Sequence, residues 1–308
     1  MIDTFNIPDS GTSNKVFFTN GTLWQVWQKP NNAKFVYFYV IGAGGAGGGG
    51  RTGGINTGGG GGGGASSSIS IGLFPAFLLP DTLYVQVGSG SAGAPANTGA
   101  ASGALSYVSV LPSTAAINVV MQSGDTAAGG GGGGTTSLAG TAGTAGTAWT
   151  YANSPIALTG LVTSLPGQNG AAGGGTASAG VSITPTLPVS GGAGGGGESS
   201  TASSFAGGNI NGSGFLPTIS GGTANSTALS PGNPGFITTN LTTDSFLSQP
   251  MFFTGGSGGG GANGGAVNPG NGGNGSFGSG GGGGGASYAT TGGTGGRGGD
   301  GFVLITCW

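Results

Sequence analysis

The sequence predicts a mostly β protein with almost no α-helix. An antiparallel, sandwich-like N-terminal core, closed by the C-terminal strand, is joined to a bundle of glycine-rich helices of the polyproline-II type with long loops. Three observations predict it. Glycine supplies 81 of 308 residues, and each glycine costs about 1 kcal/mol in a helix interior relative to alanine, so the glycine tracts exclude α-helix. Apolar residues, 35% of the chain, gather into short runs of strand length. Within several glycine tracts the side chains recur every third residue, the repeat of the polyproline-II helix.

The elements follow in order. Residues 1–14 read as an N-terminal arm and 15–134 as a β-rich core with the first glycine runs. Residues 135–300 read as the glycine-rich bundle with variable loops, and 301–308 as a strand returning to the core. In "KVFFTNGTLWQVW" (15–27) two apolar runs flank Asn20-Gly21, a hairpin signal. Pro30-Asn31-Asn32 turns the chain into "KFVYFYVI" (34–41). There Phe35, Tyr37, Tyr39 and Ile41 alternate with Val36, Phe38 and Val40, so both faces are apolar and the strand is expected to be central and buried. Further strands are expected at 66–74, 81–88, 104–111 and 116–123, and "GFVLITCW" (301–308) is expected to pair back into the N-terminal sheet.

The period of three is plainest in "GGTGGRGGDG" (292–301), where side chains occur only at Thr294, Arg297 and Asp300. It returns in "AGTAGTAGTA" (139–148), and Asn268, Asn271 and Asn274 align in "NPGNGGNGS" (268–276). A rod of this kind has two bare faces and one side-chain edge. It makes no internal hydrogen bonds, so its amides and carbonyls are free to pair with neighbouring rods. Glycine loses more entropy on ordering than any other residue, and only a cooperative lattice of rods offsets that. Collagen is excluded because glycine is not strictly every third residue. Four glycine runs lead into Ala, Thr, Glu or Ser and then hydroxyl residues, at 61–70, 131–140, 194–203 and 282–291, spaced too irregularly for a solenoid.

Composition narrows the function. Charged residues make up 4% of the chain and the net charge is −2, so there is no basic patch for nucleic acid. No run approaches the roughly 20 apolar residues of a membrane helix, so membrane insertion is not expected. "MIDTFNIPDS" lacks the pattern of a secretory signal, and synthesis in a cytoplasm is expected. The lone Cys307 excludes an intramolecular disulfide and reads as a small buried hydrophobe.

Two motifs are decoys. Residues 42–47 fit the G-x-G-x-x-G dinucleotide fingerprint, but polyglycine follows where that motif needs a helix and an acidic residue. "GGRGGDGFV" (295–303) fits a calcium-binding nonapeptide in a single copy with one carboxylate, Asp300. No cofactor or metal is expected. With no histidine, Ser-His and Cys-His chemistry is impossible. A carboxylate pair drawn from Asp125, Glu198 and Asp244 is the remaining catalytic arrangement, and the expectation is that the chain is not an enzyme.

The start "FFTNGTLWQVWQKPNNAKFVYFYVIGAGGAGGGG" (17–50), the middle "GGGGASSSISI…DTLYVQVGSGSAG" and the finish "GGRGGDGFVLI" together resemble the glycine-rich domain proteins of bacteriophage tails. The resemblance covers most of 15–134 and 280–308. It implies a tail-fibre adhesin with a polyglycine-II sandwich, displayed on the virion and made in the host cytoplasm. It also implies that variable loops at the tip bind a host surface glycan or outer-membrane protein, with other virion or fibre subunits, or further copies, as partners. Independently, the aromatics between glycine runs suit contact with sugars or proteins, or alternatively packing at the bundle ends. They are Trp149, Tyr151, Phe215, Phe236, Phe246, Phe252, Phe253 and Tyr288. The competing function is purely structural, as a capsid decoration, fibre or appendage subunit.

Overall fold

In a computed structural model of the chain, residues 13–53, 58–150, 154, 161–199, 203–212, 216–224, 230–235, 251–263 and 267–308 are described. Apolar alternation builds the strands β1 (Ser13–Phe18), β2 (Gln25–Gln28), β3 (Phe35–Ile41), β4 (Ile69–Pro75), β5 (Thr82–Gln86), β6 (Tyr107–Ser109), β7 (Val119–Gln122), β8 (Val162–Leu165) and β9 (Phe302–Cys307). They form a five-stranded sheet, β1-β9-β3-β4-β8, and a four-stranded sheet, β2-β5-β6-β7. Every pairing is antiparallel. The described residues include no α-helix, only single 3-10 turns at Ala76–Leu78 and Ala116–Asn118.

The alternation in β3 is used on both sides, as the sequence predicts. Val36, Phe38 and Val40 join Val303 and Ile305 of β9 and Leu83, Val85, Val108 and Met121 of the second sheet in the sandwich core. Tyr39 and Ile41, with Phe302 and Leu304, form a second apolar layer that Val189 and Phe253 cover from the bundle. The C-terminal strand lies between β1 and β3, so chain end and chain start close one sheet together.

Two expectations are corrected. Asn20-Gly21 does turn the chain: Leu23 N–H donates to Asn20 O at 3.2 Å, and Gly21 has φ 63°. It does not make a hairpin, because β1 pairs with β9 and β2 with β5. The turn carries the chain across the sandwich, and Phe17 and Trp27 bury in one core from opposite sheets. Turn chemistry is local, whereas strand partners are decided by distant edges. The strand β8 lies inside the segment read as rods and loops, and extends the first sheet beside β4. Several strands are also shorter than expected. Ser66, Ser67 and Ser68, for example, belong to a rod end rather than to β4.

The glycine tracts are rods that continue the strands. The chain leaves β3 at Ile41 and enters the rod 43–51, and the rod 59–67 leads into β4. Rod 43–51 donates to three antiparallel neighbours in a strict period of three. Gly44, Gly47 and Gly50 bond to Gly299, Gly296 and Gly293; Gly45, Gly48 and Arg51 bond to Ala65, Gly62 and Gly59; Ala43, Ala46 and Gly49 bond to Ala104, Ala101 and Thr98. It accepts from three parallel ones: Gly281, Gly284 and Ser287; Gly131 and Gly134; Ala94 and Asn97. Donors and acceptors point in six directions, so the packing is hexagonal. Rods 59–67, 189–198 and 279–287 are likewise bonded on all sides. The deep backbone is thus paired as burial requires, here between rods rather than within a sheet.

Rods from both sides of residue 134 hydrogen-bond to one another in this lattice. Among the described glycines only Gly21 and Gly278 lie in the left-handed region. The rods therefore do not need glycine for its torsional freedom. They need it for space: a methyl on Gly47 would collide with the carbonyl of Gly282, and one on Gly63 with that of Gly192.

A layer of buried hydroxyls marks the handover from strand to rod. Ser106 Oγ donates to Ile41 O at 2.6 Å and accepts the Gly88 N–H at 3.0 Å. Ser66 Oγ accepts the Gln168 N–H at 2.7 Å, and Ser190 Oγ the Gly255 N–H at 2.9 Å. Where a repeat of two becomes a repeat of three, backbone groups lose register. A hydroxyl, both donor and acceptor, restores the pairing.

Candidate functional site

The rods run alternately away from the sandwich and back, so the molecule has two unlike ends. The described turns between rods at the far end are built mainly from short polar residues, with an exposed Leu138 in one of them. Asn97 (φ 62°) and Ala177 (φ 70°) hold two of the turns in the left-handed region. Asn97 Oδ1 accepts the Thr52 N–H at 2.8 Å, and Ser178 Oγ accepts the Gly175 N–H at 2.8 Å. Ser287 Oγ accepts the Thr290 N–H at 2.9 Å. The sequence device of a glycine run leading into hydroxyl residues is thus the signature of a rod end.

Among the described residues, Arg51 and Glu198 are the charged side chains of these far-end turns. Each ends a rod of glycine and alanine. Glu198 is fully buried. Its backbone exchanges both hydrogen bonds with Gly58, at 2.8 and 3.1 Å, and it also bridges to Ser204. Neither carboxylate oxygen has a hydrogen-bond partner. Burial pushes the Glu198 carboxyl up to about 7, against the opposing pull of the Arg51 guanidinium. The signal in the sequence was the interruption itself: ionisable residues placed at the ends of tracts that otherwise carry mostly glycine and alanine.

The aromatics read as binding residues divide. Trp149 and Phe253 are buried in packed cores. Trp149 is buried in the sandwich core, and its N–H donates to Ser164 Oγ at 2.8 Å. Phe253 is 1% exposed and meets Phe302 and Phe277 edge to face at 5.5 and 6.0 Å. Phe252, half-buried, adjoins it at the sandwich end, while Tyr288, half-buried, lies at the far end after rod 279–287. The described aromatics therefore do not converge on one surface. Tyr151, Phe215, Phe236 and Phe246 lie outside the described residues.

The acidic groups are likewise dispersed. Asp125 sits at the sandwich end, where it accepts from Gln122 Nε2 at 3.3 Å and the Thr150 N–H at 3.1 Å. Glu198 is at the opposite end of the bundle, so these two do not form a carboxylate pair; Asp244 lies outside the described residues. Asp300, the carboxylate of the nonapeptide match, is held by Arg297 at 2.5 and 3.1 Å and by the Gly90 N–H at 2.8 Å. The G-x-G-x-x-G stretch is the start of rod 43–51, and its amides are spent on neighbouring rods.

A family model described as a glycine-rich domain matches residues 18–308. No curated protein matches the chain.

Proposed function

The chain belongs to the glycine-rich domain family, and on that premise we propose that it is a virion structural protein, a tail-fibre or tail-tip adhesin that attaches to a host surface through the far-end turns. One observation carries the reading: the two ends of the molecule differ in chemistry. The described far-end turns present mainly Thr, Ser, Asn and Gly, with Leu138 exposed among them, anchored in a rigid lattice. Such groups suit hydrogen bonding to a glycan or to polar protein loops, and loops on a rigid scaffold can vary without unfolding it.

The sandwich end is unlike it. Phe77 is 83% and Ile117 73% exposed, each on a single 3-10 turn beyond the ends of the strands. Exposed apolar residues of this size suit contact with another subunit, and in this reading they face the rest of the particle. The same end favours the alternative of a purely structural decoration, fibre or appendage subunit. The protein acts without catalysis in either case.

Immunogold labelling of the source particles separates the two readings. Gold confined to a tail or fibre tip supports the adhesin. Gold spread over a shell or along a filament overturns it in favour of the structural subunit.

A further inference from the structure

A carboxylate closed off from solvent, with neither oxygen hydrogen-bonded, is a costly thing to bury. Glu198 is such a group. It lies where rods 43–51, 59–67, 189–198 and 279–287 end together. An atom built on Gly58 would have the Ala286 methyl, Glu198 Oε2 and Arg51 Cβ as its nearest neighbours, at 3.3, 3.5 and 3.6 Å. The Gly58–Glu198 backbone pair and the Glu198–Ser204 bridge fasten these rod ends.

We propose that Glu198 is a pH-sensitive latch on the far end of the bundle: neutral, it allows the Gly58–Glu198 pair to close; ionised, it loosens that pair.

The charges around it are few. Arg51 faces it from the first rod. Tyr288, one residue past Ser287, supplies a phenol at the same end. The neutral acid is the form suited to burial without hydrogen-bond partners. The ionised form calls for hydrogen-bond donors or water, which the closed rod ends do not give either oxygen, so ionisation favours their parting. The sign follows from the direction of the shift. The carboxyl is raised from its ordinary 4.5 to about 7, so its contribution is fully present below pH 4.5. It declines as pH rises and is lost above 7. The far end is tightest in mild acid and loosest in alkali, whatever surface it contacts.

The chain contains a single glutamate, so the full-length protein labelled with carboxyl-13C glutamate gives one side-chain resonance to titrate. A midpoint near pH 7 is expected, rising further in Arg51→Gln; a midpoint near 4.5 overturns the proposal. Hydrogen exchange, corrected for intrinsic rates, reads the latch itself. The Gly58 and Glu198 amides should lose protection between pH 5 and 8 while the deeper Gly62 amide does not, and Glu198→Gln should abolish the difference. Equal pH dependence in wild type and Glu198→Gln overturns it. If Glu198→Gln does not fold, the wild-type titration still decides.

Discussion

Gly61 lies so close to the carbonyl of Gly48 that a methyl on its α-carbon would collide with the oxygen, while Gly48 N–H donates to the neighbouring Gly62 O at 2.8 Å. The two facts are one: the hydrogen bond requires the approach, and the approach leaves no room for a side chain. Gly61→Ala should therefore destabilise the fold by about 3 kcal/mol or more, since the obstacle is backbone fixed in a lattice. Gly99, at the rim, meets nothing nearer than 3.7 Å. Gly99→Ala should be neutral or stabilising by roughly 0.5 kcal/mol, because it restricts the unfolded chain. Equilibrium denaturation of the pair checks this, and equal effects would refute the lattice.

Trp149→Ala should cost about 3–5 kcal/mol, the loss expected for a buried large aromatic. Trp149 packs with the sandwich residues rather than facing solvent, so any change in host adsorption should track the fraction of folded protein. Adsorption measured per folded molecule should stay constant. A specific drop in a fully folded variant would return Trp149 to the binding surface.

Much of the fold was legible in the sequence because its two repeats are local. Alternation in 34–41 marked a strand buried on both faces, and the spacing of Thr294, Arg297 and Asp300 marked a rod with one side-chain edge. Strand partners were not legible. Asn20-Gly21 carries every local mark of a hairpin, yet β1 pairs with a strand nearly the whole chain away. The hydroxyl layer was visible only as composition, since its purpose depends on which backbone groups the change of repeat leaves unpaired. For the site, aromatic type alone does not separate a surface residue from a core one: Trp149 and Phe253 fill cores. The exceptional positions were Arg51 and Glu198, whose meeting depends on the rods bringing residues 51 and 198 to one end.

Outer rods lack a neighbour on one face, and side chains spaced by three take its place. Asn271 Oδ1 accepts the Thr294 N–H and Asn274 Oδ1 the Arg297 N–H, both at 2.9 Å. Asn274→Ala should cost about 1 kcal/mol, the net worth of one hydrogen bond. Exchange of the Arg297 amide should accelerate selectively. The adjacent Gly296 amide, bonded to Gly282 O at 2.7 Å, should keep its protection. Loss of protection at both would mean that the asparagine positions the rod rather than capping one amide.

Cys307 provides a probe of how the two ends of the chain hold each other. It is buried in β9, between β1 and β3, with its Sγ 3.7 Å from Ser13 O. Burial pushes the thiol up from its ordinary value, so the reactive thiolate is scarce at pH 8, where an exposed cysteine is already partly ionised. Native protein should resist a thiol reagent at that pH, and labelling should appear with global unfolding. Because this is the only cysteine, the kinetics report one site. Labelling in mild denaturant, ahead of the loss of the sandwich, would mean instead that β1 peels from β9 as a separate step. The N-terminal strand would then be a removable cover on a core whose closure depends on β9 and β3 alone.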